Sequence, residues 1–138
     1  MSNLVRMSLS IEKPLLDRLE AMAARSRYTN RSEFVRDMIR RQLVEEEWQA
    51  NEEAVGTITL VYDHHARLLT EKLTDLQHHH HHAILATTHV HLDEHMCVEM
   101  ILTKGPADRI REIADLLRRQ KGVLHAALSM SSTGKQLV

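Results

Sequence analysis

The chain has 138 residues, 43% of them hydrophobic and 3% aromatic, and a formal net charge of -1. That length allows one domain or two small ones, neither of which buries a large core alone, so an oligomer is expected. The composition excludes a disordered chain, the one cysteine excludes an internal disulfide, and no apolar run approaches ~18 residues, so a reducing cytoplasmic setting is expected and a membrane span is not.

The charge is unevenly divided. Residues 1–44 carry nine basic against five acidic side chains, residues 45–138 carry nine against fourteen, and all eleven histidines fall in the second part. A basic head and an acidic, histidine-rich body imply two domains with different partners. The expected division is 1–48 for the head, 49–54 for a linker, 55–132 for the body and 133–138 for a loose tail.

The first predicted element runs from Leu4 to Ile11, where Val5, Met7, Leu9 and Ile11 alternate with Arg6, Ser8 and Ser10. Alternation predicts a strand with one buried and one polar face, and a lone strand of this length must pair with something. Pro14 suits a first helical turn, and Leu15, Leu16, Leu19, Met22 and Ala23 follow at helical spacing. The segment SRYTNRS ends that pattern. A second helix is expected near Asn30 or Ser32, with Asn30 and Glu33 in the form of a capping box and Phe34, Val35, Met38, Ile39 and Leu43 as its apolar stripe.

Strand, helix, helix in about 45 residues has few stable solutions, because the strand has no partner in its own domain. Two copies pairing their strands antiparallel give a ribbon-helix-helix arrangement. Such a ribbon can enter the major groove of double-stranded DNA, and here it would present Arg6, Ser8 and Ser10 to base edges. The N-terminus of the second helix, at Asn30, Arg31 and Ser32, would meet a phosphate.

The acidic stretch Glu45 to Glu53 reads as the frayed end of that helix and a linker, with Trp48 as a packing anchor between domains. From Val55 the pattern changes. A short strand (VGTITLVY), a helix over His65 to Leu76, strands over Ala83 to Leu92 and Met96 to Thr103, a helix from Pro106 stopped by Gly122, and a last strand from Val123 to Met130 give the order βαββαβ. The fold class is therefore α+β, a βαα head joined to a ferredoxin-like body.

The soft metal-binding chemistry is concentrated between Gln77 and Glu99: five consecutive histidines (His78 to His82), then His89, His91, His95 and Cys97. Imidazole and thiolate favour nickel, copper or zinc over magnesium or calcium. His89 and His91 share one face of a strand. Cys97 joins that face only if the hairpin loop has odd length centred on Glu94, which sets His91 opposite Cys97 and His89 opposite Glu99. Glu99 would then accept a hydrogen bond that orients His89. Three ligands leave a closed site one short, and a donor from the histidine run, in the same or a neighbouring chain, could supply the fourth. His64, His65, His95 and His125 read as surface or structural residues. No catalytic residues are expected, because no nucleophile, base and orienting acid occur at usable spacing.

The segments RMSLSI, YTNRSEFVRDMIR, VYDHH, QHHHHH and THVHLDEHMCVEMILTKG together resemble the NikR family of nickel-responsive repressors over nearly the whole chain. The resemblance implies a homotetramer, with two ribbon-helix-helix dimers flanking four ACT-like domains, that binds operator DNA when it holds nickel(II). It implies nickel ligands His89, His91 and Cys97 from one subunit and His78 from another in a square plane, with Glu99 behind them. It also implies a secondary cation near Glu33 and Asp37. Ser8 and Ser10 stand where family members often have Thr, and Ala66-Arg67 where they often have a Lys-Arg pair, so the base preference and one DNA-backbone contact do not carry over. The alternatives on the same residues are a copper- or zinc-responsive repressor and an ACT-type regulator that binds a small metabolite.

Overall fold

In the computed structural model, which describes residues 3–138, Pro14 occupies the first turn of helix α1 (Lys13–Arg25). The helix closes where Arg27 adopts φ 61 and the Tyr28 N–H returns to the Ala23 carbonyl at 2.9 Å, a left-handed C-terminal turn that satisfies carbonyls the helix leaves unpaired. Helix α2 (Arg31–Gln49) begins at the expected cap. The Asn30 side-chain oxygen accepts the Glu33 N–H at 2.8 Å, and its amide donates back to the Glu33 carboxylate at 3.3 Å. Tyr28 and Phe34 pack edge to face with centroids 5.1 Å apart, fixing the connection between the two helices.

The strand expected over Leu4 to Ile11 does not form within one chain. Residues 3–12 have no strand structure, and Leu4, Val5, Met7 and Leu9 remain exposed. The reason is the one that sequence periodicity raises: backbone N–H and C=O groups in a lone extended segment have no ladder to join.

The chain divides into two compact units, one ending at Leu43 and including Gln136–Val138, the other spanning Val44–Lys135. The division falls inside α2, which continues to Gln49 instead of fraying through Glu45 to Glu53. Glu47 and Trp48 are buried in that last turn. Trp48 is a packing anchor, but its partners Ala54, Ala107 and Ile110 belong to the second unit, where its indole N–H donates to the Ser131 carbonyl at 2.8 Å.

The second unit follows the expected order: β1 (Glu53–Asp63), α3 (Leu69–His79), β2 (Ile84–His91), β3 (Met96–Pro106), α4 (Ala107–Arg118) and β4 (Val123–Ser132). The sheet has the spatial order β2-β3-β1-β4 with antiparallel neighbours. Alternate residues of β1 and β3 (Ile58, Leu60, Tyr62, Cys97 and Ile101) meet Leu69 and Leu73 of α3 and Ile113 and Leu117 of α4 in one core, each aliphatic side chain contributing roughly 1.5–3 kcal/mol by its burial. Val90, Met100 and Leu102 on the opposite face stay partly exposed.

Helix α3 starts four residues later than its periodicity suggests. His64 to Leu68 form turns instead, held by the Ala66 N–H on the Asp63 carbonyl and ending at Leu68 in the left-handed region (φ 62). The helix also runs past Leu76 and takes His78 and His79 into its last turn.

Gly56 shows how tightly Trp48 is enclosed: a Cβ there would lie 3.0 Å from Ile110, 3.1 Å from Leu128 and 3.2 Å from the indole. Trp48→Ala is therefore expected to destabilise the second unit by about 3–5 kcal/mol, read as a lower midpoint in urea denaturation. A loss below about 1 kcal/mol would contradict this packing role.

Candidate metal centre

The β2–β3 hairpin has the register that a shared site requires. His91 pairs with Cys97 and His89 with Glu99, and the Leu92 N–H reaches the Met96 carbonyl at 2.8 Å. The turn between them is thus Asp93 to His95, an odd loop centred on Glu94. Because side chains alternate along a strand, this register sends His89, His91, Cys97 and Glu99 to the same face. One donor atom from each of His89, His91 and Cys97 lies within 4.8 Å of the others. The two imidazoles are exposed on the edge strand, while Cys97 is fully buried beside them.

Behind the three donors a polar network runs from the buried Glu99 outward to the surface at Thr87. Glu99, 7% exposed, accepts the Tyr62 hydroxyl at 2.9 Å on one oxygen and the Gln77 amide at 2.8 Å on the other; Gln77 in turn accepts the Thr87 hydroxyl at 2.8 Å. Both carboxylate oxygens are therefore occupied, which is how a buried charge is tolerated. The His89 ring approaches Tyr62 at a tilt of 53°, with centroids 6.0 Å apart. Glu99 thus reaches His89 through Tyr62 packing, and no direct Glu99–His89 hydrogen bond occurs among the described residues.

Burial raises the Cys97 thiol above its ordinary pKa; a hydrogen bond with Tyr62 works in the other direction, and the charge of Glu99 adds to the rise. Burial and the neighbouring Glu99 also push the Tyr62 hydroxyl up. The thiol is consequently protonated at neutral pH until something stronger than a proton competes for the sulfur.

His78 is exposed in the last turn of α3 and lines a cavity of about 350 Å³ together with Thr74, Gln77, His81, Thr87 and Glu99. It is not part of the three-donor cluster of its own chain. Of the rest of the run, the His81 and His82 rings lie tilted with centroids 3.8 Å apart, and His79 and His81 engage the backbone carbonyls of Asp75 and His78 in α3.

In the first unit, Arg6, Ser8 and Ser10 lie on the exposed segment without strand structure, and Asn30, Arg31 and Ser32 surround the start of α2. Asp37 is already engaged: it accepts the Tyr28 hydroxyl at 2.5 Å and Arg40 at 2.9 Å, and these bonds hold its pKa below the usual carboxylate value. Glu33 is bonded to Asn30.

On sequence alone His64, His65 and His95 read as surface or structural residues. The structure gathers Asp63, His65 and His95 into a second group with donor atoms within 4.8 Å of one another. The adjacency of Asp63, His64 and His65 is visible in the sequence, whereas the approach of His95 follows only from the antiparallel pairing that brings the end of β1 to the start of β3.

Residues 55–131 match the family model described as the NikR C terminal nickel binding domain, and residues 5–46 match the ribbon-helix-helix protein, copG family. The chain belongs to the NikR family of nickel-responsive regulators. It is 48% identical over 138 residues to a putative nickel-responsive regulator of Solibacter usitatus, 46% identical to one of Geotalea uraniireducens and 47% identical over 137 residues to one of Pyrococcus abyssi, each match covering 99% of both chains. An uncharacterized protein from Thermotoga maritima of solved structure shares the fold over 57% of this chain and 98% of its own, with TM-score 0.52 and 19% identity. The NikR family is one of transcriptional regulators and not of enzymes. The α+β architecture of a ribbon-helix-helix head and a nickel-binding body is that of this family.

Cys97 should react slowly with an alkylating reagent in the folded, metal-free protein, and the pH midpoint of that reaction should lie above the value of about 8.5 for a free thiol. Mass spectrometry of alkylation against pH, with the urea-unfolded chain as reference, reads both. A folded-state midpoint at or below the unfolded one would contradict the burial described.

Proposed function

We propose that the protein is a nickel-sensing repressor in which His89, His91 and Cys97 of one chain and His78 of a second chain bind nickel(II) in a square plane, and the occupied assembly binds operator DNA. The observation that carries this reading is the convergence of two imidazoles and one thiol within 4.8 Å on the hairpin. The donor set fits the metal: mixed nitrogen and sulfur ligands suit nickel, and the exposed edge-strand position leaves the fourth place open to a donor from outside the chain. Nickel, when bound, supplies a fixed crosslink between those donors and displaces the thiol proton.

Supporting the assembly, Val90, Met100 and Leu102 leave an apolar sheet face partly exposed, and contact between copies is the ordinary way to cover such a face. A tetramer built as a dimer of dimers would cover it and bring His78 to a neighbour's hairpin. Pairing of two N-terminal segments would bury Val5, Met7 and Leu9 and turn Arg6, Ser8 and Ser10 outward to the major groove. The N–H groups at the start of α2, near Asn30, Arg31 and Ser32, would hold a backbone phosphate. Glu33 and Asp37 form the expected secondary cation position, for which Asp37 would have to exchange Tyr28 or Arg40. A cytoplasmic location fits a regulator whose cysteine is a free thiol.

His78 sits beside Gln77, which is bonded to Glu99. Capture of His78 by a metal therefore acts on the same end of α3 that the buried network holds, and this is the route by which occupancy would reach the rest of the assembly. Since nickel and DNA then favour one state, each must raise affinity for the other by the same factor.

Two measurements test the reading. With operator-length duplexes enriched from a random library, at fixed salt, nickel should raise DNA affinity by about 5- to 150-fold, and His89→Ala should retain only the nickel-free affinity. Equal affinity in all three cases would refute the proposal. Nickel binding should also tighten as pH rises toward the thiol pKa, by nearly tenfold per pH unit at about one proton released, followed through the thiolate absorption band. A flat profile would exclude Cys97 as a ligand.

A further inference from the structure

The end of β1 and the β2–β3 turn carry a second group of donors that the nickel reading does not use. Asp63 closes β1 opposite Met96, and the His64 N–H immediately after it donates to the His95 carbonyl at 3.0 Å. Asp93 fixes the other turn by accepting the N–H groups of His95 and Met96 at 2.8 Å each. The His65 N–H donates to Asp63 Oδ1 at 2.9 Å. Both turns are thereby pinned by hydrogen bonds from backbone N–H groups, and the His65 and His95 rings meet edge to face with centroids 5.2 Å apart.

The geometry at the convergence is that of a chelating set. His65 Nδ1 and His95 Nδ1 are 3.2 Å apart, and His65 Nδ1 is 3.5 Å from Asp63 Oδ1. Two imidazole nitrogens at that distance either share one proton or direct both lone pairs at a common cation. The carboxylate beside them supplies the third donor and offsets the cation's charge.

We infer that Asp63, His65 and His95 form a second site, for a divalent first-row transition metal, weaker than the cysteine-containing site and distinct from it in donor chemistry. Two imidazoles with one carboxylate and no thiolate suit zinc, cobalt or nickel ions and select less strongly for soft metals. Three protein donors leave positions for water. The side chains of His65 and Asp63 are 56% and 37% exposed, so the bound ion exchanges with solvent and the affinity is modest. His64 stands between the two sites, its ring 4.0 Å from that of His65 and 4.8 Å from that of His91. The histidines of the 78–82 run take no part.

Cobalt(II) alone, titrated into the full-length metal-free protein, separates the two sites spectroscopically. Cobalt at Cys97 gives a thiolate charge-transfer band, whereas cobalt on nitrogen and oxygen donors gives only weak visible bands. The wild type should show both classes, Cys97→Ser only the thiolate-free class, and the double variant H65N/H95N a thiolate-free class weakened by at least about tenfold, with the thiolate band titrating as before. Asp63→Asn, a near-isosteric change at the rim, should weaken the same class while circular dichroism stays that of the wild type. The inference is overturned if the wild type has no thiolate-free class, if H65N/H95N binds it as tightly as the wild type, or if that class is lost instead on replacing His79, His81 and His82 with Asn.

Discussion

The structure depends most on the register of the β2–β3 hairpin. A side-chain period of two means that a slip of one residue would turn His89 and His91 to the opposite face from Cys97 and leave Glu99 with no reason to be buried. The register is held from three sides: Asp93 ties the turn through the His95 and Met96 N–H groups, β1 pairs the other edge of β3 over its whole length, and Cys97 and Ile101 are locked into the core under α3 and α4. The convergence of His89, His91 and Cys97 is therefore a by-product of the same pleat that builds the hydrophobic core.

That arrangement puts a buried thiol next to two solvated imidazoles. Burial keeps the sulfhydryl protonated at neutral pH, while the imidazoles remain accessible on the edge strand. Tyr62, Glu99, Gln77 and Thr87 link β1, β3, α3 and β2 in one hydrogen-bonded path behind the donors. Its buried end, the Tyr62–Glu99 bond, is fully satisfied and therefore holds the end of α3 to β3 through Gln77.

The first unit follows a different logic. Its helices are capped and closed locally, by Asn30 with Glu33 and by the left-handed turn at Arg27, yet the segment before α1 leaves four large apolar side chains in solvent. Local chemistry suffices for the helices because each supplies its own hydrogen bonds. It does not suffice for a strand, whose partner must come from elsewhere. In both units, then, local chemistry completes the helices, while the exposed apolar segment before α1 and the outer edge of the exposed strand carrying His89 and His91 are left without a packing partner among the described residues of the same chain.

Much of this was legible in the sequence. Alternation and helical spacing placed every element of the βαββαβ unit, the capping pair at Asn30 marked the start of α2, and strand parity put His91 opposite Cys97 on the condition of an odd loop about Glu94, which the observed register meets. These features are local, so neighbouring residues encode them. The start of α3 at Leu69, the continuation of α2 through Trp48 and the engagement of Glu99 by Tyr62 and Gln77 were decided only by tertiary structure, because each depends on segments distant in sequence packing together. The same holds for Asp63, His65 and His95: they are brought together by the antiparallel pairing of β1 with β3, a contact across 32 residues between Asp63 and His95 for which no local periodicity exists.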